Sequence, residues 1–165
     1  MAEHSVVGKP VLRVDAKSKA TGGAKYTTDI MLSRMLHAKI LRSPYPHARI
    51  ININTGKAEK LPGVEAIITG KDTSGIRFAF VDTPRYPADE HPLAEDKVRY
   101  IGEGVAAVAA TSEDTAIEAL ELIEVEYEQL PAVFDPEEAM KDGAPKVHEL
   151  ITPAATCAWE DWGVA

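Results

Sequence analysis

Residues 97–131, KVRYIGEGVAAVAATSEDTAIEALELIEVEYEQLP, constrain the fold more than any other part of the chain. Their patterns predict a strand, a glycine-containing turn, a second strand, a helix and a third strand. Thr111 and Asp114 have the spacing of a capping box, which places the helix start there. The apolar face that follows comprises Ala116, Ile117, Leu120 and Ile123. Behind the helix, apolar residues alternate with glutamates and predict a half-buried strand that ends at Pro131.

The segment in front of this helix has two interpretations. Gly102, Gly104 and Ala107 fit the spacing G-x-G-x-x-A, and an acidic residue follows about 20 positions later, as in a dinucleotide site. Such a site needs a buried parallel strand before the first glycine and a helix directly after the last. Residues 97–101 alternate charged and apolar side chains, and the capping signal delays the helix to Thr111. An antiparallel hairpin turning at Gly102 to Gly104 fits better, with a dinucleotide-binding module as the alternative.

Composition favours one compact α/β domain. The chain is 45% hydrophobic and 27% charged, which is enough apolar material for a core. It contains no apolar run of about 18 residues and no signal-peptide pattern, which predicts a cytoplasmic protein without a membrane segment. Cys157 is the single cysteine, and the five histidines lack ligand spacing, so no disulfide or metal site is predicted.

Charge is distributed unevenly along the chain. Residues 1–99 hold 16 Lys and Arg against 11 acidic residues, whereas residues 100–165 hold 2 against 15. This imbalance fits either a solvated acidic helix face or a polarised module that docks an oppositely charged partner. Nucleic acid is disfavoured as a partner, because the basic residues are scattered and not interleaved with aromatic residues.

The remaining elements follow from local patterns. They are an extended arm at residues 8–15 with a turn at 21–23, strands at 35–41, 48–54 and 64–69, a short helix from Asn54 or Thr55 to Leu61, a loop at 71–96 with a strand at 76–81, and a short helix after Pro136. Within residues 48–54, strict alternation predicts that Ile51 and Ile53 share one face.

No catalytic constellation is present in the sequence. Ser43 lies outside a G-x-S-x-G motif, and Glu103 in its glycine turn is expected to be solvent-exposed rather than to act as a base. We therefore predict no catalytic, cofactor-binding or metal-binding residue. Four residues on turns that a partner could reach are interface candidates: Arg42, Pro44, His47 and Glu103.

Three phrases of the sequence carry a resemblance to a known family. In order, they are GKPVLRVDAKSKATGGAKYTTDI, MLHAKILRSPYPHARI with NTGKAEKLPGVEAIITGKD, and KVRYIGEGVAAVAATSEDTAIEALELIEVEYEQLPAV. Together they resemble the N-terminal α/β hammerhead domain of molybdenum hydroxylase large subunits, the xanthine dehydrogenase and aldehyde oxidase family. HPLAEDKVRY and EEAMKDGA are most similar to the 4-hydroxybenzoyl-CoA reductase type. The position of Gly104 is commonly Pro in this family, so the predicted hairpin should be more flexible here.

The resemblance implies an α+β fold with a mixed or antiparallel sheet and two main helices packed on it. Residues 1–150 would form this domain, and residues 151–165 an irregular tail that starts the next domain. The family's pterin-binding segments and glutamate base have no counterpart in these residues, which suggests a truncated subunit that is inactive in isolation. The chain is thus expected to hold no cofactor.

The complete enzyme would contain molybdopterin, 2Fe-2S clusters and in many cases FAD. The hammerhead domain would pack against the molybdenum domains and the iron-sulfur partner. Besides the dinucleotide-binding module, a non-enzymatic interaction domain remains an alternative function.

Overall fold

The computed structural model describes residues 6–78 and 90–148. The chain divides into two compact units, Met1–Met35 and Leu36–Ala165. The predicted domain boundary at residue 150 and the predicted tail at 151–165 lie outside the described residues. No helix in the described ranges is long and apolar enough to cross a membrane.

The first unit contains helix α1 (Ala16–Ala20) and a 3-10 turn at Thr27–Asp29. The sequence patterns did not predict α1. Asp15 occupies the N-cap position without a side-chain capping bond, and its carboxylate pairs with Arg13 and Lys19 at 3.1 and 2.6 Å. These hydrogen bonds, chiefly the one from Lys19, lower the pKa of Asp15.

The second unit contains two three-stranded antiparallel sheets. Their strands are β1 (His37–Arg42), β2 (Ala48–Asn54), β3 (Val64–Thr69), β4 (Lys97–Val98), β5 (Gly104–Ala110) and β6 (Glu124–Gln129). Sheet A has the order β1-β5-β3, and sheet B has the order β4-β2-β6. The predicted α+β class is confirmed, and the predicted strands at 48–54 and 64–69 have the observed bounds.

The predicted hairpin between residues 97–101 and β5 is wrong. β4 pairs with β2 in sheet B, whereas β5 lies between β1 and β3 in sheet A. The physical reason is that β5 is apolar on both faces and occupies a central position with two neighbours. The turn before β5 bonds to the end of β1 instead of to β4, because the Gly102 amide donates to Ser43 O.

Helix α2 (Glu113–Glu121) starts well after the glycines, as predicted, but its cap differs. The N-cap is Ser112, whose Oγ accepts from the Thr115 amide at 3.1 Å, so the capping box predicted at Thr111 and Asp114 is wrong. The buried side of α2 is formed by Ala116 and Ala119.

The predicted place of Ile117 on the apolar face of α2 is also wrong. Ile117 is 43% exposed, whereas Ala116 beside it is fully buried. At about 100° per residue, Ile117 lies more than a quarter turn from the line through Ala116 and Ala119.

A β-bulge changes the faces of β2. Ile50 pairs with Tyr127 and Asn52 with Glu126, so Ile51 has no partner in the ladder. The extra residue resets the alternation, and Ile51 is 53% exposed while Ile53 packs on the core. The prediction that Ile51 and Ile53 share one face is therefore wrong.

Two hydrophobic clusters hold the second unit together. The first lies between sheet A, α2 and a 3-10 turn at Ala58–Lys60, and its fully buried residues include Ala106 and Val108. The second joins the two sheets through Ala48, Ala94, Val98 and Val105. Because β5 supplies Ala106 and Val108 to one cluster and Val105 to the other, it links them.

The remaining predicted elements are shorter in the structure. The helix predicted up to Leu61 is the 3-10 turn Ala58–Lys60, without a side-chain cap from Asn54 or Thr55. The short helix after Pro136 is confirmed as α3 (Pro136–Ala139), capped by Asp135. In the loop, Phe78 forms an isolated antiparallel bridge with Glu90, whereas Ile76 and Arg77 are not part of a strand. Residues 79–81 of the strand predicted at 76–81 lie outside the described residues.

Candidate interface site

Arg42 and Glu103 are brought together where the end of β1 meets the turn at residues 99–103. The Ser43 amide donates to Glu103 O, and the Gly102 amide donates to Ser43 O, both at 2.8 Å. Arg42 donates from Nη1 to Gly102 O at 2.7 Å. The exposed Arg42 guanidinium is therefore fixed against the glycine turn.

Glu103 is buried, contrary to the expectation for a charged turn residue, and is only 9% exposed. Its carboxylate accepts a hydrogen bond from the Arg99 amide across the turn. An unpaired buried carboxylate would be costly, and this bond from a neighbouring backbone donor offsets part of that cost. Glu103 thus closes the turn.

Arg99 contributes a second cation at this place, which the sequence patterns did not single out. Its Nη1 donates to Lys97 O at 2.9 Å, and its Nη2 lies 3.9 Å from Asp96. Its Nε is buried and has no hydrogen-bond partner among the described residues. No local signal marks this role, because Arg99 falls within an alternating strand pattern.

Pro44 and His47 differ in exposure, although both lie on the corner between β1 and β2. Pro44 is exposed, whereas His47 is only 6% exposed. His47 donates from Nδ1 to Pro131 O at 2.6 Å, and its own carbonyl accepts from the Leu130 amide. His47 therefore ties the start of β2 to the end of β6. Its Nε2 is buried without a partner in the described ranges.

Ser43 is a buried turn residue without a nucleophile's environment. It is 2% exposed, and its hydroxyl bonds to the amide and carbonyl of Tyr45, both at 3.0 Å. Tyr45 in turn packs edge-on against Tyr127 with ring centroids 5.2 Å apart. Burial raises the pKa of the Tyr127 phenol. These contacts make the corner rigid.

A cleft of about 500 Å³ opens beside this turn. Its lining comprises Ile40, Arg42, Phe78, Glu90, His91, Pro92, Arg99, Tyr100, Glu103, Gly104 and His148. Gly104 belongs to β5, where a Cβ atom would lie 3.2 Å from both Ile40 and Leu93. The absence of a side chain at Gly104 therefore leaves room in the cleft. The hairpin that was predicted around this glycine is absent.

The dinucleotide alternative lacks the geometry that it requires. Gly104 lies within an antiparallel strand, and α2 begins only at Glu113. Because β5 lies between Gly104 and the start of α2, this helix does not begin directly at the glycines as a phosphate site of this kind requires. Within residues 6–78 and 90–148, no three His, Cys, Asp or Glu side chains converge as a metal site would require.

Comparison with known proteins identifies the fold family. Residues 21–131 match the family described as "Aldehyde oxidase and xanthine dehydrogenase, a/b hammerhead domain". The chain belongs to this family. The hammerhead domain is 45% identical, over 87% of the chain, to a probable xanthine dehydrogenase component of Bacillus subtilis (strain 168), covering 19% of that protein.

Two further relatives support the same family. The hammerhead domain is 38% identical to the nicotinate dehydrogenase large molybdopterin subunit of Eubacterium barkeri, over 88% of the chain and 33% of that subunit. It superimposes on quinoline 2-oxidoreductase of Pseudomonas putida 86 with a TM-score of 0.78 and 36% identity, over 91% of the chain and 20% of that structure.

These comparisons confirm the predicted hammerhead fold and family. The chain spans between about a fifth and a third of the length of these relatives. The relatives include molybdopterin subunits of oxidoreductases. The similarity to the 4-hydroxybenzoyl-CoA reductase type stays a prediction.

Proposed function

We propose that this chain is the structural hammerhead domain of a molybdopterin-dependent oxidoreductase and positions the enzyme's other domains. The observation that carries the proposal is the match of the fold, over 91% of the chain, to one fifth of a quinoline oxidoreductase. In the complete enzyme, molybdopterin and 2Fe-2S clusters, with or without FAD, supply the redox chemistry. We place the enzyme in the cytoplasm, because the 165 residues of this chain contain a single cysteine, Cys157, and therefore no internal disulfide.

The contribution of this domain is to hold surfaces in place. The two sheets form a rigid body, because β5 packs into both hydrophobic clusters. On this body the corner that carries Arg42 and Pro44 is fixed by backbone bonds to Gly102 and Glu103. A rigid surface of this kind docks with little loss of conformational entropy.

We assign different roles to the four interface candidates. Arg42 and Pro44 are exposed and would contact the molybdenum domains or the iron-sulfur partner directly. His47 and Glu103 are buried and would position the corner, through Pro131 and Arg99 respectively.

The interface is tested by substituting Arg42 in the complete enzyme. Arg42→Ala removes an exposed cation, and Arg49→Ala is the matched control, because Arg49 is an exposed sheet residue paired with Glu128 at 2.7 Å. We expect Arg42→Ala to weaken binding of the iron-sulfur partner or the molybdenum domains, measured by size-exclusion chromatography and protection from proteolysis. Equal assembly of both variants would remove Arg42 from the interface.

A further inference from the structure

The outer face of sheet A, turned away from α2, carries only apolar side chains in its central rows. The β ladder places three residues in each of two cross-strand rows: Ala38, Ala109 and Ala66 in one, and Ile40, Ala107 and Ile68 in the other. We call these six residues the outer patch. A shallow apolar depression of about 220 Å³ lies over it.

The outer patch is uncovered by the described residues. Ile40 and Ile68 are 44% and 43% exposed, and Ala38 and Ala66 are exposed as well. Antiparallel sheets with one face in water normally carry polar side chains on that face.

β1 has the opposite arrangement. Lys39, the charged residue between Ala38 and Ile40, lies on the helix side and pairs with Glu113 of α2. Arg42, at the end of β1, lies beyond the outer patch and lines the cleft. The open side of the same strand presents Ala38 and Ile40. Likewise, β5 has the sequence GVAAVAA, which is apolar on both faces as in strands covered on both sides. The outer patch therefore has the composition of a surface that becomes buried.

We propose that the outer patch docks against an apolar surface of the molybdenum-binding remainder of the same large subunit. This inference rests on the proposed function. The relatives are about three to five times as long as their match to this chain, so most of such a subunit lies outside these residues. The occupant's contact surface is apolar, because the patch offers no hydrogen-bonding side chain, and its alanines allow close approach.

The size of the patch disfavours a second copy of the chain as occupant. Three strands about 4.8 Å apart, across two rows, present roughly 200 Å². A stable association between free proteins buries about 800 Å² on each partner. A tethered domain loses less translational freedom on docking, so a small patch suffices.

The outer patch is also continuous with the cleft. Ile40 belongs to the patch and lines the cleft together with Arg42. One neighbouring domain could therefore cover both surfaces.

The experiment compares the reactivity of an introduced cysteine in the complete enzyme and in the 165-residue chain. Ala66→Cys places a thiol in the outer patch, and Ile51→Cys is the matched control on the exposed bulge of β2. Maleimide labelling is followed by peptide mass spectrometry, and the rate in urea gives the unprotected reference. Cys157 is read out separately as its own peptide.

We expect the cysteine at position 66 to react on the order of a hundredfold more slowly in the complete enzyme than in urea. In the 165-residue chain, the cysteine at position 66 should react nearly as fast as in urea. The control cysteine at position 51 should do the same in this chain. Rapid labelling in the complete enzyme would overturn the proposal. Protection already in the isolated chain would also overturn it, since a segment of the chain itself would cover the patch. Protection that disappears on dilution would point to a second copy instead.

Molybdenum content separates this proposal from the proposed function. A complete protein that contains molybdenum but labels rapidly contradicts only the docking surface. A complete protein without molybdenum contradicts the proposed function on which the docking surface rests.

Discussion

Gly70 lies at a position where even one added methyl group should destabilise the fold. It follows β3 and is buried, and an ideal Cβ there would lie 2.1 Å from Ala94 O and 2.6 Å from the Cα of Glu95. Both atoms belong to the backbone, so no side-chain rotation relieves the clash. Ala94 is held by a 2.8 Å hydrogen bond from its amide to Gly104 O and packs in the second core cluster.

The expected cost of Gly70→Ala is about 3 kcal/mol of unfolding free energy. Overpacking of a tight site costs up to about 3 kcal/mol. Loss of the bond between Ala94 and Gly104 adds about 1 kcal/mol. The lower entropy of alanine in the unfolded chain offsets about 0.5 to 1 kcal/mol of this.

Urea unfolding followed by far-UV circular dichroism measures the change. Gly56→Ala is the matched control, because its Cβ would meet only Asn54 Oδ1 at 3.4 Å. We expect the control to stay within about 0.5 kcal/mol of the parent chain. For Gly70→Ala, the transition midpoint should fall at an unchanged slope. If Gly70→Ala were as stable as Gly56→Ala, the close approach of residues 70 and 94 would be refuted.

Three further predictions concern the cap, an ion pair and a buried phenol. Ser112→Ala should destabilise the chain by about 1 kcal/mol in urea unfolding, whereas Thr111→Ala should cost less; the reverse order would restore the cap at Thr111. The hydrogen bond and charge of Lys39 lower the pKa of Glu113. The ion pair therefore stabilises the fold above the pKa that this carboxyl has in the unfolded chain, and the stabilisation is lost as the pH falls through its pKa in the folded state. Glu113→Gln should therefore reduce the loss of stability on acidification below about pH 4.5, and an unchanged pH profile would contradict the pair. Burial raises the pKa of the Tyr127 phenol, so the buried neutral phenol favours the folded state and this contribution is lost as the pH rises into the alkaline range. Tyr127→Phe should remove the highest-pH step from the tyrosinate absorbance titration, and an unchanged titration would contradict the burial of Tyr127.

Local patterns were sufficient for the positions of the main elements. The strand at residues 48–54, the strand at 64–69 and the delayed start of α2 follow from alternation, glycine and proline signals and helix periodicity. These features depend on neighbours within a few residues. The sequence therefore carries them without knowledge of the tertiary fold.

Strand pairing required information that local patterns lack. The Gly102 amide bonds to Ser43, which is far away in sequence, instead of to β4. As a result, β4 and β5 lie in different sheets. The bulge at Ile51 depends on the register with β6. In both cases the partner strand determines the outcome.

The candidate site was located only in part for the same reason. Arg42 and Pro44 are exposed as expected from a turn, but Glu103 is buried because the Arg99 amide binds its carboxylate. His47 is buried because it reaches Pro131, at the far end of another strand. Both burials depend on contacts that form only when the chain has folded.

Molybdenum content of the native assembly tests whether this chain belongs to a molybdopterin enzyme. The assembly is purified from its source through a tag on this chain, and metals are quantified by inductively coupled plasma mass spectrometry, with the separately purified 165-residue chain as control. We expect molybdenum and iron in the native assembly and neither metal in the control. A native assembly that contains this chain but no molybdenum would contradict the proposed function and favour a non-enzymatic interaction domain.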